Sequence, residues 1–134
     1  MPHVTIQYTA NLDAEIPMGD LCRALAATLV SQKDARGQSL FPVGGTRVLA
    51  YPAAQYAVAD DADDYAFVYV NVRIAAGRSD EAKKTAGDNL LAAVRSHFEP
   101  IFDKRRIGIT LQIDEGPGQV YDGKHSNLHP LFNK

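Results

Sequence analysis

The stretch Tyr65-Ala66-Phe67-Val68-Tyr69-Val70-Asn71-Val72-Arg73-Ile74-Ala75 has two distinct faces. Ala66, Val68, Val70, Val72 and Ile74 are aliphatic, whereas Tyr65, Phe67, Tyr69, Asn71 and Arg73 are aromatic or polar. Alternation of this kind belongs to a strand, whose successive side chains point to opposite faces of a sheet. Gly77 ends the strand. Ser79 follows as a helix cap, with Asp80 and Glu81 in the first turn, where negative charge suits the helix dipole. Ala82, Ala86, Leu90, Val94, Phe98 and Ile101 then form an apolar stripe. Pro100 predicts that this helix ends or bends near Glu99. Ile107, Ile109, Leu111 and Ile113 alternate again, which predicts a last strand over 107–113 and a turn at 115–118.

Upstream of this unit the same order of elements occurs. Val4, Ile6 and Tyr8 predict a strand. Leu21, Leu25, Thr28 and Leu29 predict a helix that starts near Asp20 and ends near Ser31. Pro42, Gly44 and Gly45 mark a turn, and a short strand is expected over Arg47–Tyr51. Residues 52–64 read as a loop with a short extended piece near Tyr56–Val58. The expected fold is α/β (α+β): two β-α-β units sharing one four-stranded mixed sheet, with both helices on one face. The other face would carry Thr5, Gln7, Tyr65, Phe67, Tyr69, Asn71, Thr110 and Gln112. Three aromatics on an otherwise open face point to burial against other subunits.

The 134 residues fit one domain, 1–134. A net charge of −2 gives no reason to expect nucleic acid or an anionic membrane as partner. Lys83-Lys84 and Lys104-Arg105-Arg106 read as solvated surface. The single Cys22 excludes an internal disulfide and suits a reducing compartment. It lies near the apolar stripe of its helix and reads as core filler. No apolar run reaches the roughly 18 residues of a membrane span, and nothing at the start resembles a signal peptide. The expected location is the cytoplasm.

Pro2 follows the initiator methionine. Removal of Met1 would turn its nitrogen into a free secondary amine, a group an internal proline lacks. An amine acts as a general base only when unprotonated, and burial together with nearby cations lowers its pKa. Two arginines would serve this end and would also grip a carboxylate bidentately. Arg47 and Arg78 lie beside turns, and Arg78 precedes a helix N-terminus, itself an anion-binding locus. Residue type and position alone do not separate them from Arg23, Arg36, Arg73 or Arg95. His3 either orients substrate or starts the strand.

Other constellations are weaker. His125 and His129 have the i, i+4 spacing of a metal pair on a helix, but Asn127 and Pro130 argue against that helix and no third ligand stands out. No metal site is expected. Gly118–Lys124 spells G-x-x-x-x-G-K, yet His125 replaces the Ser or Thr of a P-loop. Asp60, Asp61, Asp63 and Asp64 lack the glycine and glutamate of a calcium loop.

The chain resembles the 5-carboxymethyl-2-hydroxymuconate isomerase family of the tautomerase superfamily. The residues that carry the resemblance are Met1-Pro2-His3, Asp64-Tyr65-Ala66-Phe67-Val68, Ala76-Gly77-Arg78-Ser79, His97-Phe98 and Asn127-Leu128-His129-Pro130-Leu131-Phe132. It spans nearly the whole chain and is weakest over 11–43 and over 51–56, where tryptophans are missing. The resemblance implies a tautomerase-like homotrimer with Pro2 as catalytic base and Arg47 and Arg78 as substrate-binding residues. It implies no metal or organic cofactor. The substrate would be a small carboxylated enol, ketonised in the homoprotocatechuate route of 4-hydroxyphenylacetate breakdown. Two other readings stay open: a hydratase or dehalogenase on the same fold, and a non-catalytic trimeric binding protein.

Overall fold

A computed structural model describes residues 2–132 of the chain. Four strands, β1 (His3–Thr9), β2 (Arg47–Ala53), β3 (Ala66–Ala75) and β4 (Ile107–Gly116), form one sheet in the order β2-β1-β3-β4. β1 runs parallel to β2, antiparallel to β3, and β3 runs parallel to β4. Each parallel pair is joined through a helix, α1 (Met18–Ser31) or α2 (Asp80–Phe102), so the two β-α-β units stand as expected.

The alternation in β3 decides which face is covered. Ala66, Val68, Val70, Val72 and Ile74 are buried and meet Val4 and Ile6 of β1. Met18, Leu21, Leu25 and Leu29 of α1, with Ala86, Leu90, Val94 and Phe98 of α2, close over them. Burying a Leu, Ile, Val or Phe side chain is worth about 1.5–3 kcal/mol, so this layer supplies the main driving force of the fold. The opposite face stays open. Leu49 and Tyr51 are exposed there beside Thr5 and Gln7, and Phe67 and Tyr69 are half-buried.

Four boundaries differ from the sequence reading. α2 continues through Pro100 to Phe102 instead of ending near Glu99. Proline costs only one backbone bond so close to a helix end, and packing of Phe98 and Ile101 on the core holds the last turn. β2 extends through Pro52 to Ala53, because β2 is an edge strand and the missing N–H need not face a partner. No strand forms at 56–58. β4 runs three residues past Ile113 to Gly116, paired with Arg73, Ile74 and Ala75 of β3.

The tail carries a short helix, α3 (His129–Phe132). His125 lies outside it, so the i, i+4 histidine pair does not share a helical face. Among the described residues no group of three or more His, Cys, Asp and Glu side chains is placed to hold a metal ion. No helix among them is long and apolar enough to cross a membrane.

Candidate active site

Strand direction gathers the candidate residues. β1 and β2 begin, and β3 and β4 end, at the same end of the sheet. Pro2 is buried there, one residue before β1, and its carbonyl accepts from the Arg47 N–H at 3.2 Å. Arg47, half-buried, opens β2 directly after a 3-10 turn at Val43–Gly45. Its guanidinium Nη1 donates to the carbonyls of Gly44 (2.6 Å) and Thr46 (3.0 Å). Those two bonds fix the side chain, and its other nitrogens make no hydrogen bond among the described residues.

Arg78 lies at the β3–α2 junction. Gly77 takes φ +117 there, a conformation that L side chains rarely adopt, and this lets the strand turn sharply into the helix. Ser79 caps α2 by accepting from the Ala82 N–H. The Arg78 guanidinium donates to the carbonyls of Leu40 (3.1 Å) and Ala75 (2.9 Å) and stacks on the ring of buried Phe41, 4.6 Å from its centroid. Burial lowers its pKa and the charge of Glu115 opposes that shift. The side chain remains a cation. A cavity of about 500 Å³ opens at Arg78 between residues 34–40 and 75–82, and its lining includes neither Pro2 nor Arg47. Pro2 and Arg47 are thus direct neighbours. Arg78 shares their end of the sheet and reaches them through the 40–46 segment that it holds.

The family model of 5-carboxymethyl-2-hydroxymuconate isomerase matches residues 2–132. The chain belongs to the 5-carboxymethyl-2-hydroxymuconate isomerase family. It is 28% identical over 132 residues to the 5-carboxymethyl-2-hydroxymuconate Delta-isomerase of Escherichia coli, covering 98% of this chain and 99% of that one. A crystal structure of a 5-carboxymethyl-2-hydroxymuconate delta-isomerase is 45% identical, with TM-score 0.94 over 100% of this chain and 94% of that chain. A 5-carboxymethyl-2-hydroxymuconate isomerase from Deinococcus radiodurans R1 is 36% identical, with TM-score 0.86 over 99% and 95%. The fold is tautomerase-like.

Within this isomerase-family fold, two juxtapositions at the same end escaped the sequence reading, although it named the residues themselves. His129 of α3 sits on the Gly44 turn, and its Nε2 is buried without a hydrogen-bond partner among the described residues. A Cβ at Gly44 would stand 3.2 Å from the His129 Cα, so the contact is tight there. Arg73 faces His3 across the β1–β3 pairing, just as Arg47 faces His3 across the β1–β2 pairing. Arg47, His3 and Arg73 therefore form one row across three strands. Only strand register brings them together, since they are far apart in the chain and have no local signature.

Proposed function

We propose that the chain is a proline-dependent isomerase that ketonises 5-carboxymethyl-2-hydroxymuconate. The observation that carries this reading is the convergence of Pro2, Arg47 and Arg78 at one sheet end in a chain of this family. Loss of Met1 would expose the Pro2 amine. Its buried position, with cations nearby, favours the neutral form that a general base needs.

The substrate is a dienol with three carboxylates. The Pro2 amine takes the proton of the 2-hydroxyl and becomes an ammonium. The C2–O bond gains double-bond character, the conjugated double bonds shift, and the ammonium returns a proton to carbon 5. No atom is gained or lost. A delocalised dienolate lies between the two transfers. A guanidinium at its oxygen end stabilises that charge, and a second holds a carboxylate. Arg47 and Arg78 take these two roles.

One domain acts as one subunit of a homotrimer in the cytoplasm, and the enzyme serves homoprotocatechuate breakdown. The open face with Leu49, Tyr51, Phe67 and Tyr69 supports assembly, since a patch of this kind on a small chain is an interface. The test follows the ultraviolet absorbance of 5-carboxymethyl-2-hydroxymuconate with protein shown by mass spectrometry to lack Met1. Ketonisation that falls about 100-fold or more in Pro2→Ala supports the reading, in line with general-base contributions. Processed protein without activity, or a Pro2→Ala variant as fast as the wild type, overturns it.

A further inference from the structure

We propose that a second cavity at the same sheet end, lined by His3, Arg73 and Lys124, is a subsite for one carboxylate of a polycarboxylate substrate. This rests on the proposed isomerase reading and names the part of that site that would recognise the carboxymethyl arm. The cavity measures about 340 Å³, within the range of small-molecule sites. It lies between the start of β1 and the end of β4, and residues of the tail close it. His3 follows Pro2 in the chain, and its side chain is exposed where that of Pro2 is buried, so the cavity meets the Pro2 site around the start of β1.

Charge in the cavity is positive on balance. Arg73 and Lys124 stand against Asp122, whose carboxylate pairs with Lys124. Arg73 is exposed in the single chain, at the end of the sheet face that carries Phe67 and Tyr69 and is proposed to meet other subunits, and it makes no ion pair or side-chain hydrogen bond among the described residues. Its nearest acid in register, Asp114 of β4, accepts instead from the Asn71 amide at 2.8 Å. The Arg73 guanidinium lies over Gly116 and keeps its donor fork available. Arg47 and Arg78 are different in this respect. Each spends donors on two backbone carbonyls, and each has a place in the proposed binding of the enol end and one carboxylate. A substrate with three carboxylates needs one more cation. Arg73, on the other side of His3 from Arg47, is the arginine placed to supply it. A planar guanidinium meets a carboxylate through two parallel bonds, which gives direction as well as charge.

The test compares kcat and KM of wild type, Arg73→Gln and Arg73→Lys on 5-carboxymethyl-2-hydroxymuconate and on 2-hydroxymuconate, which lacks the carboxymethyl arm. The expected result is a KM about tenfold higher in Arg73→Gln for the tricarboxylate only. For the dicarboxylate KM stays unchanged, kcat changes less than twofold for either substrate, and Arg73→Lys recovers part of the loss. Equal effects on both substrates, no effect on either, or a loss that accompanies a change in oligomeric mass overturns the proposal. If the wild type turns over neither substrate, the isomerase reading fails and the subsite is judged by calorimetry with propane-1,2,3-tricarboxylate. Binding about tenfold weaker in Arg73→Gln then supports it, and equal binding or none overturns it.

Discussion

Gly44 holds Arg47 on one side and His129 on the other. Its carbonyl accepts from the Arg47 guanidinium at 2.6 Å, and a Cβ built on it would lie 3.2 Å from the His129 Cα and 3.4 Å from the Phe132 ring. The tail helix and the arginine are therefore two layers of one turn. Gly44→Ala must push α3 outward by a few tenths of an ångström or shift the turn that carries the carbonyl. The expected outcome is a several-fold higher KM with kcat little changed, together with faster proteolysis of the tail. Steady-state kinetics and a timed digest read both effects. Unchanged kinetics with a loosened tail would separate α3 from the arginine.

Arg78→Lys keeps the charge but cannot reproduce two backbone bonds and a stacked ring from one ammonium. Activity is expected to fall about tenfold or more, mostly in KM. Thermal stability should drop by about 1–2 kcal/mol from the lost bonds and the contact with Phe41. Full activity in the lysine variant would mean that charge alone matters at this position.

At the opposite end of the sheet, Arg105 ties three segments together. Its side chain is 10% exposed and pairs with Asp64 at 2.8 Å and Glu15 at 3.0 Å, and it also donates to the Asp64 carbonyl. The Glu15 contact is close enough for ion pairing but not aligned as a hydrogen bond. Arg105→Ala should cost about 2 kcal/mol or more, moderated by the exposure of Asp64. Turnover at 25 °C should be preserved, because this clasp lies far along the strands from Pro2. Denaturant unfolding and kinetics on the same sample distinguish the two effects.

Burial holds the His97 imidazole below the ordinary histidine value, against the opposing pull of Asp20 and of the Pro17 backbone. The unfolded chain therefore takes up the proton first as the pH falls. The His97 contribution to stability is level above about pH 6.5 and declines below it, where the unfolded state binds more protons. His97→Gln should flatten the fall of Tm between pH 7 and pH 5. The same slope in both proteins would assign the decline to other groups.

Leu90 is fully buried between α2 and the sheet. Leu90→Ala should cost about 2–5 kcal/mol by leaving a cavity that a rigid sheet cannot fill. Chemical unfolding measures this directly. A loss under about 1 kcal/mol would mean that the helix layer relaxes over the sheet.

Periodicity in the sequence determined that β3 is a half-covered strand, that α1 and α2 lie on its aliphatic side, and that the elements come in two β-α-β units. Each of these follows from residues a few positions apart, since side-chain direction repeats every two residues in a strand and every 3.6 in a helix. The same local logic misjudged Pro52 and Pro100. Whether a missing N–H matters there depends on an edge position and on packing, neither of which is local. The open apolar face was legible as well, from the aromatics alternating with Val in β3. The row of Arg47, His3 and Arg73 was not legible, nor was the seating of His129 on Gly44. Those contacts are set by strand register and by where a tail folds back, and only the folded chain brings residues that far apart within a few ångströms.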